Sequence, residues 1–374
     1  MANTLTNLIP AAYEALDIVS RELVGLIPSV NRSANSDRVA KNQTLFVPVA
    51  PANTTATITP AMVVTAAADQ TIGTKSVVID NYKVSSFGYT GEEEYSLSTG
   101  PGTAPLIRDQ IAQCFRIHTN EIEATIFAAM RIAASRATGT AGTTPFATNL
   151  SDTAQLKKIL DDNGAPFADR SVVLDTTAGA ALRTLSQLTK ANEAGTAMTL
   201  RDGELLNLHG FSVKESAQIA TFTAGTGASY LLNGALSAGE TEITVDGGSG
   251  TILAGDVVAI GGNKYVVATA LASNVFTISE PGLKVAAADN AAVTVSASHT
   301  KNFGFSRDAV ILACRLPKVG ANDLATDRQV VLDPRSGLAF ELAIYPGYRM
   351  SKVEIAVAYG VSVIKPAHIG VLLG

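Results

Sequence analysis

The sequence predicts an α+β fold in which a small antiparallel β-barrel interrupts a larger mixed domain. Three observations carry that reading. One helical apolar stripe runs much longer than an ordinary helix, and an extended β-prone stretch precedes it. Between residues 222 and 298 the texture changes to short strands separated by Gly/Asn/Asp turns, and afterwards it changes back. The 374 residues are 47% apolar and only 16% charged, a low charge content for a freestanding soluble chain. Such a chain hides surface, and contacts between subunits are the usual means.

Residues 10–24 read as an amphipathic helix, with Pro10 in the first turn and Ala12, Leu16, Val19 and Leu23 at helical spacing. Gly25 and Pro28 stop it, and the polar stretch 31–41 reads as a connector. The helix is either an arm that docks on another body or a helix packed on its own domain. Residues 43–89 then read as strands, around Leu45, Val47 and Val49 and again around Ser76-Val77-Val78-Ile79-Asp80. Their simplest arrangement is a long ribbon, which has little core of its own and needs a neighbour to cover it.

The stripe Ile107, Ile111, Phe115, Ile122, Ile126, Ala129 and Ala133 predicts a helix over 105–137. At ~1.5 Å per residue it would run on the order of 50 Å, a beam lying across a β layer. Residues 151–220 alternate helix (153–163, 178–188) with strand (171–175, 205–213), without the regular spacing of a dinucleotide fold. Short strands at 242–245, 257–260, 264–268, 275–279 and 292–296 predict the small barrel. Strands at 309–315, 329–332, 338–345 and 353–364 resume the larger domain.

Composition excludes several functions. A net charge of -5 supplies no basic stripe for gripping phosphates, and the chain has no Trp for stacking on bases. Cys114 and Cys314 stand far apart and read as reduced, buried thiols. No basic region precedes an apolar stretch at the N-terminus, and no apolar run approaches the ~18 residues of a membrane span.

The four histidines, His118, His209, His299 and His368, show no metal-ligand spacing. His118 and Glu121 form one i,i+3 pair, but His118 falls on the apolar stripe and reads as a core histidine. Gly247-Gly248-Ser249-Gly250 lacks the last glycine of a nucleophile elbow, and no Walker loop is present. Gly225-Thr226-Gly227 reads as a flexible joint. Glu92-Glu93-Glu94 reads as a solvated face, or a partner for an arginine on a neighbouring subunit. No catalytic residue, metal site or cofactor is expected.

Several stretches carry a resemblance. They are Asn42-Gln43-Thr44-Leu45-Phe46-Val47-Pro48-Val49, Arg201-Asp202-Gly203-Glu204 with His209-Gly210-Phe211, and Ile243-Thr244-Val245 with Ala254-Gly255-Asp256-Val257-Val258-Ala259-Ile260. The ending is the most specific: Ala358-Tyr359-Gly360-Val361, then Lys365-Pro366-Ala367-His368-Ile369-Gly370-Val371, with Lys365 where arginine is common. Together and in this order, they resemble the tailed-bacteriophage major capsid proteins of the Hong Kong ninety-seven fold. Within that family the chain is most similar to the coat proteins of the short-tailed Salmonella phage P-twenty-two type, which carry an inserted β-barrel.

The resemblance implies an N-arm (1–41), an E-loop ribbon with P-domain strands (42–90), a spine helix in the P-domain (91–144), a first A-domain part (145–221), the inserted barrel (222–299) and A/P-domain return strands (300–374). It further implies pentamers and hexamers of this chain in an icosahedral shell around double-stranded DNA. A scaffolding protein, a portal protein and assembly in the bacterial host cytoplasm follow from the family. Subunit contacts are expected at Leu16 and Leu23 of the arm, at Phe46, Val77 and Ile79 of the ribbon, and at Glu92, Glu93 and Asp246. The insert is shorter than in the type member, and Asp246 is the nearest acidic residue to its bridging loop. Two other readings stand beside this one. An encapsulin-like shell would carry enzyme cargo, and an adhesin's barrel module would expose Tyr230, Tyr265 and Phe276.

Overall fold

The computed structural model describes residues 22–49, 72–98, 103–186, 207–333 and 336–374, together with the isolated positions 55, 57, 59, 60 and 62. The expected arm helix lies almost wholly outside these residues, and 22–25 at its end are irregular.

The first described strand, β1 (Asn31–Val39), is a correction, because this polar stretch had read as a connector. Its side chains carry no apolar alternation, and its structure comes instead from backbone pairing and from long polar side chains. Arg38 donates to the Pro317 carbonyl (2.9 Å) and pairs with Glu341 (2.5 Å). Next, β2 (Gln43–Val49) and β3 (Gly73–Ile79) form an isolated antiparallel ribbon, registered Gln43 to Ile79 through Val49 to Gly73. One face, with Leu45, Val47, Val77 and Ile79, packs on Ala313, Ala358 and Ile364.

β4 (Asn81–Thr90) leaves the ribbon and leads into α1 (Gly91–Ser98) and then α2 (Thr103–Ala133). The 31 residues of α2 span about 46 Å at ~1.5 Å each. Ile111, Phe115, Ile122 and Ile126 along the expected stripe are fully buried, and Phe115 meets Phe340 edge-on at 5.1 Å. His118 is a core residue, its Nε2 within 2.8 Å of Ser85 Oγ and 3.0 Å of the Ile355 carbonyl. The helix stops four residues before the expected end. Ser135 turns its N–H (3.0 Å) and hydroxyl (2.7 Å) onto the Ile369 carbonyl, and β5 (Arg136–Gly139) begins. Alanine favours helix, so the strand here is imposed against local preference by pairing with the strands Ile369–Leu373 and Asn263–Ala272.

The chain continues through α3 (Ser151–Asp162), the fully buried β6 (Arg170–Leu174), and α4 (Thr176–Thr184), capped by Asp175. The expected strand at 205–213 forms later, as β7 (Ser212–Glu215), after a turn at Gly210 with φ +85°. After β8 (Thr221–Phe222) come β9 (Tyr230–Leu232), β10 (Glu242–Asp246), β11 (Val257–Ile260), β12 (Asn263–Ala272), β13 (Val275–Ile278) and β14 (Ala292–Val295). These last six pair in the order β11-β14-β9-β10-β13-β12, and β12 pairs with β11 to close the ring. Closure removes every sheet edge, as a small barrel must. Tyr230, Tyr265 and Phe276 are buried inside it with Leu232, Ile243, Val245 and Val267, so they form no aromatic binding face.

Gly225 is no flexible joint. Its N–H donates to Asp256 Oδ1 (3.0 Å), and a Cβ there would sit 2.3 Å from the Thr251 carbonyl oxygen.

The closing strands are β15 (His299–Ser306), β16 (Val310–Pro317), β17 (Asp327–Leu332), β18 (Ala339–Gly347), β19 (Met350–Val363) and β20 (Ile369–Leu373). One sheet runs β1-β16-β19-β18-β17, with β4 also on β19, and α2 lies against it. A second sheet joins β5, β20, β15, β6 and β7, and β12 connects it to the barrel through Lys264–Ala137 and Tyr265–Arg136. Cys114 and Cys314 are both buried and unbridged. Burial pushes the Cys314 thiol up to about 12, the expected state of an inert core thiol.

Candidate assembly surface

Two buried charged side chains anchor the segment beside Leu23 and the barrel. The first holds the segment leading out of residue 22. Glu123, on α2, is fully buried. Its Oε1 accepts from the N–H groups of Gly25 (2.8 Å) and Leu26 (2.7 Å), and its Oε2 from that of Ile27 (2.9 Å). Burial pushes the Glu123 carboxyl up, and these donors with the Ser216 hydroxyl pull it back down. Two turns earlier, Arg116 Nε donates to both Glu22 oxygens at 2.8 Å, its Nη2 donates to Glu22 Oε1, and Asn120 adds a fourth bond at 2.7 Å. The Arg116 hydrogen bond lowers the Glu22 carboxyl to about 2. Nothing in the sequence distinguishes Glu123 from Glu121, which lies more exposed two residues away and pairs with Lys83.

The second anchor joins the barrel to the body. Lys301 is fully buried, and its Nζ donates to the carbonyls of Arg131 (3.0 Å), in the last turn of α2, and of Gly255, in the barrel. The Phe222 ring centroid lies 4.7 Å away. A cation here meets the negative end of the helix dipole. Burial nonetheless lowers the Lys301 ammonium to about 7, with Asp256 opposing the shift.

The expected contact residues fall into three groups. Leu16 lies outside the described residues. Leu23 (51% exposed) and Phe46 (71% exposed) present their side chains to solvent. Val77 and Ile79 do not; both are buried in the chain's own core, and Val78 between them is the exposed one. All three are apolar, so the sequence could not tell which parity faced inward.

Glu93 is exposed, as a solvated face would be, and it also caps the helix that follows. Thr90 N–H donates to its Oε2 (2.9 Å) and the Glu93 N–H returns to Thr90 Oγ1 (3.3 Å), a capping box that starts α1 and holds the carboxyl below its usual range. Glu92 is exposed beside it. Asp246 ends β10, opposite Leu231, and is exposed.

The structure adds exposed apolar residues that were not expected. Tyr348 (92% exposed), Tyr95 and Met350 surround an open recess with Glu92 and Arg349 where the β18–β19 turn meets α1. A tyrosine in a tight strand connection, where polar residues are usual, was the available signal. Val330 and Leu332 are exposed along β17, at one edge of its sheet. Among the described residues no three His, Cys, Asp or Glu side chains converge as metal ligands, and no helix is long and apolar enough to cross a membrane.

An isolated ribbon, a long helix laid across a sheet and a second sheet joined to a closed barrel make an α+β fold. No family model matches the chain, and no curated protein matches it. Among solved structures, a protein of Mycobacterium phage Che8 superposes with a TM-score of 0.51 at 13% identity, over 94% of this chain and 92% of its own. The capsid structure of the cyanophage P-SCSP1u gives a TM-score of 0.51 at 13% identity, over 95% of this chain and 89% of that one. The likeness is one of fold, and it runs nearly end to end in both chains.

Proposed function

We propose that this chain is the major capsid protein of a tailed bacteriophage, of the coat type with an inserted β-barrel. It self-assembles through pentamers and hexamers into the icosahedral shell that encloses the double-stranded DNA genome. The observation that carries this reading is the ribbon. Its outer face exposes Phe46 and Val78, and it is paired to no other strand among the described residues. A lone two-stranded ribbon with an apolar outer face is marginal in water and gains stability when another copy covers it. A closed lattice repeats such a modest contact many times over. Leu16 and Leu23 of the arm, with Glu92 and Asp246, are assigned to further contacts between copies. A net charge of -5 suits a wall that DNA does not adhere to.

A scaffolding protein and a portal protein are the partners this reading requires, with assembly in the host cytoplasm and residence in the virion. Negative-stain microscopy of the expressed chain, with and without a co-expressed scaffolding protein, tests it. Closed shells or capsomers are the expected result. A compact monomer under all conditions would overturn the reading, and shells that hold enzyme cargo and no nucleic acid would redirect it to an encapsulin-like container.

A further inference from the structure

A cavity of about 290 Å³ opens where β5, α3 and the barrel meet, and its charge is opposite to that of the chain. Arg136, Lys158, Lys264 and Lys284 line it, against the single carboxylate of Asp162. Four cations against one anion leave three uncompensated positive charges on a chain whose net charge is -5.

Asp162 is already engaged. It accepts from Arg136 (3.1 Å) and from Lys284, and the Lys284 hydrogen bond holds its carboxyl below the usual range. Lys264 Nζ is turned onto the Gly139 carbonyl, and neither it nor Lys158 has a carboxylate partner among the described residues. Arg136 stands behind them. Its side chain is only 6% exposed, and its Nη2 donates to the Ile159 carbonyl (3.3 Å), Asp162 (3.1 Å) and Asn163 Oδ1 (3.3 Å). It therefore adds fixed positive charge to the cavity wall, while Lys158 and Lys264 keep charges that no carboxylate neutralises. The three walls come from separate parts of the fold, and Asp162 satisfies only half of what they present.

We propose that this cavity binds a phosphate-class oxyanion, with Lys158 and Lys264 as the donors and Arg136 adding positive charge from the wall behind. Guanidinium and ammonium groups converging on one space match tetrahedral oxygens, and a phosphate with its waters fits the volume. The same chemistry serves free inorganic phosphate and the phosphodiester of a nucleic acid. The bound anion would also tie the barrel to the body beside the Lys284–Asp162 pair. This inference does not depend on the shell reading and fails separately from it.

Calorimetric titration of the purified full chain with inorganic phosphate, at ionic strength held constant with chloride, tests the proposal. Saturable one-site binding is expected. The double variant Lys158→Gln/Lys264→Gln removes no ion pair and only the Lys264 bond to the Gly139 carbonyl, so it should still unfold cooperatively close to the parent, yet bind phosphate at least about tenfold more weakly. The control Lys41→Gln/Lys75→Gln, at exposed lysines outside the cavity, should leave the affinity unchanged. Absence of saturable binding to millimolar phosphate, or equal affinity in parent and cavity variant, would overturn it. A short duplex DNA that displaces bound phosphate would assign the phosphodiester as ligand, and failure to displace would assign the free anion.

Discussion

Glu123 shows how one side chain can fix the path of a distant segment. Its two oxygens satisfy three consecutive backbone N–H groups at the point where the chain emerges from residue 22. Hydrogen bonds to a charged group are each worth about 1.5–3 kcal/mol, and a buried donor left bare carries its own penalty. Glu123→Ala is therefore expected to destabilise the chain by about 3–5 kcal/mol, with Glu123→Gln intermediate because one acceptor oxygen remains. Urea unfolding monitored by circular dichroism measures this as a lowered midpoint at an unchanged slope. Lys301 makes a pH-dependent counterpart. Its ammonium titrates near about 7 in the folded chain, against 10.5 ordinarily. Between those values the unfolded chain binds the extra proton, so stability rises with pH through this window, by up to about 1.4 kcal/mol per unit. The penalty is fully present below pH 7, where both states are charged. Lys301→Met should flatten the rise, as read from the difference between parent and variant midpoints at pH 6.5 and 9.5.

At the scale of elements, legibility followed the source of each element's stability. The barrel strands were readable because their alternating residues enclose a core of their own, and β11 begins and ends where its pattern does. Such a unit is expected to fold apart from the body: residues 222–299 expressed alone should show a dispersed amide spectrum and one cooperative thermal transition. A broad, uncooperative melt would show that the β12–β5 pairing is required. β1 and β4 were not readable as separate strands, because they are held by neighbours and by polar side chains rather than by an apolar stripe. The contact surface was half legible for a related reason. Periodicity gave the alternation along the ribbon, but the chain's own body decides that Val77 and Ile79 face inward while Phe46 and Val78 face out. That seat is tight. A Cβ at Gly360 on β19 would lie 2.1 Å from the Val78 carbonyl oxygen and 3.0 Å from Ile79 Cα. Backbone cannot yield as a side-chain tip can, so Gly360→Ala should lift the ribbon base and cost about 1–3 kcal/mol. A lowered thermal unfolding midpoint would report it.

For the whole molecule, the decisive question is whether surfaces idle in one copy become buried in many. Phe46 and Val78 are exposed on the outer face of the ribbon, whereas Val77 is buried on the inner face. Substitutions on these two faces should therefore separate folding from assembly. Phe46→Asp and Val78→Asp alter only side chains that water already reaches, so subunit stability should stay within about 0.5 kcal/mol of the parent. If a neighbouring copy covers that face, each carboxylate must be desolvated without a partner, at a cost of several kcal/mol per contact. A lattice repeats the cost at every equivalent contact, so even a partial penalty should abolish closed shells rather than merely slow them. Val77→Asp, by contrast, should lower the unfolding midpoint of the isolated subunit, because the charge enters the chain's own core. Sedimentation velocity and negative-stain images of parent and variants, with thermal unfolding of each subunit, measure both effects. Normal shells from the Phe46→Asp/Val78→Asp double variant would mean that the outer ribbon face stays in solvent and that other surfaces drive association.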